Sequence, residues 1–297
     1  MSDPFALDKR LARLSFEHAA ASYDAAAVLQ NEVCKRMLAR LDYIKIDPLV
    51  VLDAGSGTGN ALDGLLARYP QARVIALDLA LAMARRARAR RLSRTGPSTT
   101  DVDSGGARLT AVCGDLERLP LATGRAGMIW SNLALQWMVD PKLAFAEMHR
   151  VLAPGGLLLF SSFGPDTLKE LRTAFHGIDG HTHVHRFIDM HDVGDMLVAS
   201  GFADPVMDME VVTLTYAGVR ELMRDLKAIG ARNMTHGRPA GLSGKAWLAR
   251  MERNYESLRR DGRLPATFEV VYGHAWKPAP RTSPTGHPVI DIKSARQ

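Results

Sequence analysis

Residues 51–66 read VLDAGSGTGNALDGLL, a glycine-rich loop between a short apolar run and a helix-like pattern. In a Walker P-loop the glycines lead into Lys followed by Ser or Thr, because a lysine must meet the phosphates. Here the last glycine is followed by Asn60, and the next basic residue is Arg68. The glycines are spaced G-x-G-x-G, which misses the dinucleotide fingerprint G-x-G-x-x-G by one position. The loop therefore predicts close approach of the backbone to a nucleotide-like ligand that requires no lysine.

Apolar runs and helical patterns alternate along the first half of the chain. The predicted strands are 49–54, 73–79, 109–113, 127–132 and 156–163. The predicted helices are 60–68, 79–91 and 142–151. Near-continuous apolar strands that alternate with helices are typical of a parallel sheet covered on both faces. An α/β fold is therefore predicted.

Polar side chains follow the ends of four successive predicted strands. Asp53 precedes the glycine loop and can face a cationic or amine group of the ligand, and Asp78 can accept hydrogen bonds from ribose hydroxyls. Asp115 is placed to meet an adenine amino group, and Asn132 leaves the fourth strand. A single strand-end Asp is more often a helix cap or turn residue. Together they converge on the crevice where such sheets bind ligands.

These motifs together resemble the class I S-adenosylmethionine-dependent methyltransferases. The similar stretches are VLDAGSGTGN (51–60), ALDLALAM (76–83), GDLERLPL (114–121) and RVLAPGGLLLF (150–160). The resemblance implies a Rossmann-like, seven-stranded, mostly parallel sheet with helices on both faces. Its reversed last strand can be FEVVYGHAW (268–276). One departure is Ala80, where many relatives have Ser.

The cofactor that this resemblance implies is S-adenosylmethionine. Its sulfonium is a cation, which explains the missing lysine, because like charges repel and carboxylates attract it. The implied cofactor-binding residues are Asp53, Gly55, Gly57, Gly59, Asp78, Leu79, Asp115, Leu116 and Asn132.

A second resemblance extends over about residues 10–277. The stretches FGPDTLKELR (163–172), FIDMHDVGDMLV (187–198) and LKAIGARN (226–233) are similar to the malonyl-acyl-carrier-protein O-methyltransferases of biotin synthesis. This resemblance implies methylation of the free carboxylate of a malonyl thioester, carried by the acyl carrier protein or by coenzyme A.

Such a carboxylate is already ionised, so the site must orient it rather than deprotonate it. An arginine suits this role because its planar fork meets a carboxylate bidentately. Arg172 is the first choice because it follows the fifth strand closely, and Arg186, Arg224 and Arg232 are alternatives. Tyr23 is expected to close over the cofactor.

The predicted organisation has five parts. They are an N-terminal helical cap (1–44), a cofactor-binding core (45–216), a helical lid inserted before the last strand (217–263), the final strand (264–277) and a flexible tail (278–297). Residues 94–106 are rich in Gly, Ser, Thr and Asp and are predicted to form a surface loop.

Composition narrows the partners and the compartment. The longest apolar runs are far shorter than the roughly 20 residues of a membrane span, and the N-terminus carries no export signal. Two cysteines without a framework spacing suit free thiols, so a cytoplasmic location is expected. The net charge of +6 suits an acidic carrier protein, while no nucleic-acid-binding motif is found. The candidate docking residues are Arg250, Arg253, Arg259, Arg260 and Arg263, with a second basic stripe at Arg85, Arg88, Arg91 and Arg94.

Other functions remain open from the sequence. HTHVHRF (181–187) places three histidines at a spacing of two, but no further ligand completes a metal site, so none is predicted. A related arginine hydroxylase-type assembly factor shares the sheet, although the absent transit peptide and the 163–172 stretch argue against it. A non-catalytic scaffold and a methyltransferase for a small molecule or RNA are further alternatives.

Overall fold

The computed structural model describes residues 6–94, 108–238 and 244–279. The strands are β1 (Val50–Ala54), β2 (Arg73–Asp78), β3 (Leu109–Cys113), β4 (Ala126–Ser131), β5 (Leu152–Phe163), β6 (Ala203–Tyr216) and β7 (Leu264–Trp276). The α-helices are α1 (Lys9–Ala19), α2 (Tyr23–Ala26), α3 (Val28–Arg40), α4 (Leu62–Arg68), α5 (Leu81–Arg94), α6 (Pro141–Val151), α7 (Lys169–Phe175), α8 (Met190–Ala199), α9 (Val219–Ala228) and α10 (Lys245–Glu256). The predicted loop at 94–106 and the predicted tail lie almost wholly outside the described residues.

All seven strands form one sheet in the order β3-β2-β1-β4-β5-β7-β6. Strand β1 pairs in parallel with β2 and β4, while β7 runs antiparallel to both of its neighbours, β5 and β6. The predicted α/β fold with a reversed last strand is therefore confirmed. Parallel strands end at one edge of the sheet, so the loops after β1, β2, β3 and β4 meet there.

Side chains alternate between two apolar cores, one on each face of the sheet. On β4, Met128 and Trp130 are fully buried in the core that contains Leu65 of α4. Ile129, between them, belongs to the opposite core with Phe145 of α6. This alternation follows from the period of two along a strand and from helices that cover both faces.

Two local features explain where elements begin and how the reversed strand fits. Helix α6 begins at Pro141, and the Asp140 carboxylate caps it by accepting from the amides of Lys142 (3.0 Å) and Leu143 (3.2 Å). On β7, a Cβ at Gly273 would lie 2.3 Å from the ring of Phe160, its partner on β5. Only glycine leaves room for that ring.

Two differences from the sequence prediction concern the start of a strand and the late helices. Strand β5 starts at Leu152 rather than at residue 156, because the APGG segment is already extended. Helix α9 and the chain after it reach the cavity described below, whereas α10 packs against α7. Of the two helices of the predicted lid, α9 reaches the cavity, and no described residue of α10 lines it. In the described ranges, no helix is long and apolar enough to cross a membrane.

Candidate active site

The glycine loop after β1 is shaped by backbone hydrogen bonds. The amides of Gly55 and Ser56 both donate to the Leu77 carbonyl (2.8 and 2.9 Å), which ties the loop to the end of β2. Gly55 has φ of +80°, and a Cβ there would lie 2.3 Å from the Cβ of Ala134. Gly57 (φ +54°) also adopts the left-handed conformation that favours glycine. The spacing of the glycines therefore follows from backbone geometry and close packing.

We expect Gly55→Ala to lower the free energy of unfolding by about 2–4 kcal/mol, because the new methyl group adds left-handed strain to a clash with Ala134. Urea denaturation measures this loss. Gly180→Ala is the matched control, since a Cβ at Gly180 meets nothing within 4 Å. Equal stability of the two variants would show that the loop can shift to accept a side chain.

The Asp78 carboxylate links the end of β2 to both flanking loops. Its Oδ2 accepts from the Gly57 amide (2.9 Å) and its Oδ1 accepts from the Ala80 amide (2.8 Å). Burial raises the pKa of this carboxyl to about 6, although these two hydrogen bonds act in the opposite direction. Asp78 therefore does cap the following turn, and it also stands on the wall of the cavity.

Asp53 lies in β1, beneath the glycine loop. The side chain is almost fully buried, and its Oδ2 has no hydrogen-bond partner among the described residues. Burial, followed by the negative charge of Asp78, raises its pKa to about 8. A buried carboxyl with an open acceptor site fits a nearby cation or donor.

This pKa predicts a pH dependence of stability. Between the ordinary value of 3.8 and about 8 the folded protein keeps a proton on Asp53 that the unfolded chain has released, so this group's contribution falls as the pH rises. We therefore expect the stability of Asp53→Asn relative to wild type to increase with pH across this window. Urea unfolding at several pH values tests this, with the exposed Asp195→Asn as control. Parallel curves for Asp53→Asn and wild type would contradict the raised pKa.

Asp115 and Asn132 stand at the ends of the next two strands in the chain. Asp115 Oδ2 accepts from Lys9 Nζ (2.7 Å), and its Oδ1 accepts from the Glu117 amide (3.0 Å). The Asn132 side chain donates to the Gln30 carbonyl (3.1 Å) and accepts from the Ser161 hydroxyl (2.9 Å). Both residues line the same cavity as Asp78, which is the convergence that the sequence predicted.

The N-terminal helices close over this edge through polar contacts. The Glu17 carboxylate of α1 accepts from the amides of Leu81 (2.7 Å) and Ala82 (2.9 Å) at the start of α5. Further contacts join Asp24 to the hydroxyl of Thr58 and Asn31 to the amide side chain of Asn60 (2.5 Å). Each contact joins the cap to the loop or helix that follows a core strand, so cap and site form one structural unit.

Tyr23 lies at the start of α2 and lines the cavity. Its ring stands 3.9 Å from where a Cβ of Gly57 would be. Burial, together with the negative charges of Asp78 and Asp24, raises the pKa of its hydroxyl. The phenol is therefore neutral at physiological pH and is available as a donor beside the glycine loop.

The cavity occupies about 1320 Å³ of space free of protein atoms, including open solvent at its mouth. Its wall is built from the N-terminal cap, the loops after β1, β2, β3 and β4, and the chain that follows α9. The predicted cofactor-site residues on its wall are Gly55, Gly57, Asp78, Leu79, Asp115, Leu116 and Asn132. Asp53 and Gly59 are not on the wall. A Cβ at Gly59 would meet Leu62 at 2.6 Å, so this glycine permits the packing of α4.

Arg172, the arginine preferred from sequence, is placed differently. It is exposed, and its guanidinium donates to the carbonyls of Pro165 and Thr167 (both 3.1 Å). It does not line the cavity, whereas Arg232 does. The structure therefore does not bring Arg172 to the site, because the start of α7 turns its side chain onto the preceding loop.

Sequence reasoning missed several wall residues on the far side of the cavity. Trp137 stacks edge-on against Phe16 (centroids 5.2 Å apart) and against His185 (5.1 Å), although these residues are far apart in sequence. Lys9 was also not predicted as a site residue, because only the folded chain brings α1 next to Asp115. The sequence analysis noted the histidine-rich stretch but did not predict that its histidines line the cavity.

Two histidines of that stretch, His183 and His185, line the cavity and have separate partners. His185 Nε2 accepts from the Met234 amide (2.9 Å), so the neutral ring carries its proton on Nδ1. Burial lowers its pKa to about 4, which keeps it neutral. His183 stacks on Phe175 and contacts Asp179 (2.8 Å). Among the residues that the structure describes, no group of three His, Cys, Asp or Glu side chains is placed to hold a metal ion.

Comparisons with known proteins place the chain in a family. Residues 52–160 match a family model described as a methyltransferase domain. A malonyl-[acyl-carrier protein] O-methyltransferase of Gallionella capsiferriformans (strain ES-2) is 57% identical, covering 96% of this chain and 97% of that protein. One from Nitrosospira multiformis is 58% identical over 93% of this chain and 92% of that protein. The solved phosphoethanolamine N-methyltransferase 2 of Haemonchus contortus, in complex with S-adenosyl-L-methionine, aligns at 19% identity with a TM-score of 0.50, covering 88% of this chain and 57% of that one.

The sheet order, the glycine loop and the strand-end carboxylates together define a class I methyltransferase. With relatives more than half identical over nearly its whole length, the chain belongs to the family of the malonyl-[acyl-carrier protein] O-methyltransferases. The family that the sequence motifs predicted is thereby confirmed.

The residues present fit the cofactor of this class. The buried carboxylate of Asp78 and the glycine cradle, which both lie on the cavity wall, suit a cationic nucleoside that carries no phosphate. The only wall lysine in the described residues, Lys9, is engaged by Asp115 and Glu117, so its charge is balanced. Asp78 and Asp115 both line the cavity, and the sequence motifs predict that they contact the ribose and the adenine.

Proposed function

We propose that the protein transfers the methyl group of S-adenosylmethionine to the free carboxylate of malonyl-acyl-carrier protein, forming the methyl ester. One observation carries this proposal: Arg232, which has no acidic partner among the described residues, stands on the same cavity wall as Asp78 and Asp115. We assign the step to early biotin synthesis in the cytoplasm. No nucleic acid or membrane enters the proposal.

The chain's own residues have to bind and orient the reacting carboxylate. When bound, the cofactor supplies a methyl group on a sulfonium. A malonyl carboxylate is ionised at neutral pH, so no general base is needed. Consistent with this, the pKa of His185 is about 4, and its Nδ1–H is suited to donating a hydrogen bond rather than to taking a proton.

Arg232 is the residue that we assign to the carboxylate. It is exposed at the cavity mouth, and its guanidinium can hold one carboxylate oxygen while the other reacts. The ester product is neutral, so this ion pair is lost after transfer and release is favoured. This assignment replaces the earlier choice of Arg172 as the carboxylate-binding arginine. The position of Arg172, whose guanidinium donates to the Pro165 carbonyl, does not support that role.

The apolar wall favours the transfer itself. Methyl transfer from a sulfonium to a carboxylate consumes one positive and one negative charge, so a site that excludes water lowers the barrier. Phe163, Phe187 and Phe268 form one such wall, with ring centroids 5.7–5.8 Å apart. Trp137 and Phe16 form another. These rings hold the reacting groups in a dry space.

Incubation of the purified protein with methyl-labelled cofactor and either malonyl- or acetyl-carrier protein tests the proposal. Label on the malonyl carrier but not on the acetyl carrier is expected, because only malonyl has a free carboxylate. No transfer to the malonyl carrier would overturn the proposal. The similarity over nearly the full chain favours this function over a hydroxylase-type assembly factor, a scaffold or a small-molecule methyltransferase.

A further inference from the structure

A second concave surface lies beside the active-site cavity, on the other side of helix α1. We call it the basic groove. It runs between the outer face of α1, with Leu14 and His18, and α9, and it is completed by the chain that follows α9. Arg232 and Asn233 line both the basic groove and the active-site cavity. The groove therefore meets the cavity at the arginine assigned to the carboxylate.

The basic groove has a one-sided charge. Its cations are Arg224, Lys227, Arg232 and Arg238, and none of the described residues that line it is Asp or Glu. The side chains of Arg224 and Lys227 are exposed and form no ion pair within the described part of the chain. By contrast, the neighbouring Arg220 on the same helix pairs with Glu252.

The acidic residues of α9 point to other partners. The Glu221 carboxylate accepts from the Ala217 amide (2.9 Å), and Asp225 is hydrogen-bonded to Tyr216. The positive charge of Arg224 and Lys227 is therefore not balanced along their own helix. An uncompensated basic surface next to a cavity attracts an anionic partner and speeds its association.

The other two basic surfaces are less suited to this role. Arg250 donates to the Gly177 carbonyl (3.0 Å), and Arg259 pairs with Glu256. Neither lines the cavity or the groove. Arg85 and Arg88 on α5 are exposed but also lie outside both linings. Docking at α10, which the sequence favoured, is therefore replaced by docking at α9.

We propose that the basic groove docks the acyl carrier protein, with the phosphodiester and acidic surface of the carrier against Arg224 and Lys227. The prosthetic arm then passes Arg232 into the cavity. The proposal rests on the function proposed above. Charge complementarity selects an anionic occupant. A nucleic acid is disfavoured because no Phe, Tyr or Trp ring is among the described residues that line the groove, and such rings are the main stacking platforms for bases.

The double variant Arg224→Glu/Lys227→Glu tests this proposal. We expect it to raise the KM for malonyl-carrier protein by about tenfold or more, with kcat nearly unchanged, because rim charges act mainly on association. Transfer to malonyl-pantetheine, which has neither carrier nor phosphate, should be unaffected. Arg85→Glu/Arg88→Glu is the control with the same change of charge and should leave the KM for the carrier near the wild-type value.

Binding of unacylated holo-carrier, measured by fluorescence anisotropy at several salt concentrations, separates this proposal from the proposed function. Weaker binding and a smaller salt dependence in the groove variant support docking there even if no methyl transfer is detected. Unchanged binding, or an equal loss in the α5 variant, would overturn it. An equal rise in KM for malonyl-coenzyme A and for the carrier would also overturn it, since the groove would then recognise only the shared phosphate.

Discussion

Replacement of Asp78 by alanine is expected to weaken binding of S-adenosylmethionine by about tenfold to a hundredfold. Two effects add. The ribose hydroxyls lose a charged acceptor, for which hydrogen bonds contribute about 1.5–3 kcal/mol. The amides of Gly57 and Ala80 also lose the carboxylate that fixes the loop around the cofactor. Isothermal titration calorimetry measures the change directly.

Two comparisons make this result specific. Asp78→Asn keeps an acceptor oxygen but not the charge, so its affinity should fall between those of wild type and Asp78→Ala. Asp195→Ala removes an exposed aspartate on α8 and should bind like wild type. If Asp78→Ala binds the cofactor normally while its fold remains intact by circular dichroism, then Asp78 does not hold the ribose.

Replacement of Arg232 by glutamine is expected to lower kcat/KM for malonyl transfer by about a hundredfold, with cofactor affinity unchanged. The substituted side chain loses the charge that orients the carboxylate, and charge-assisted bonds of this kind are roughly twice as strong as neutral ones. Malonyl-pantetheine is the diagnostic substrate, since it has the carboxylate but no phosphate. A loss with this substrate assigns Arg232 to the carboxylate.

The matched controls for Arg232 are two other arginines. Arg125 is exposed and does not line the cavity, and Arg172 donates to the backbone carbonyls of Pro165 and Thr167. Both alanine variants should keep near wild-type activity. Full activity of Arg232→Gln on malonyl-pantetheine would refute the assignment, and a loss only in Arg172→Ala would restore the choice made from sequence.

The sequence predicted the site residues that lie at the ends of strands. It did not predict the residues that helix packing brings to the cavity. Asp78, Asp115 and Asn132 each follow a strand, and parallel strands fix where their ends meet, so their convergence is visible in one dimension. Lys9 and Trp137 reach the cavity only through the way that helices pack, which no local pattern encodes.

The arginines illustrate the same limit. Arg172 lies in α7 and Arg232 follows the end of α9, and the local sequence does not tell which of them reaches the site. The direction of the side chain separates them: Arg172 turns back onto carbonyls of the loop before α7, while Arg232 lines the cavity. Similarly, α10 looked like half of a lid because its pattern is helical, yet its Tyr255 is buried in the core.

In the proposed reaction, the free carboxylate of a malonyl group on the acyl carrier protein receives the methyl group. Intact-mass spectrometry of the carrier after reaction tests it most directly, with malonyl- and acetyl-carrier compared in parallel. We predict that the malonyl carrier gains the mass of one methylene unit and that the acetyl carrier is unchanged. An unmodified malonyl carrier, or equal modification of both carriers, would contradict the assignment.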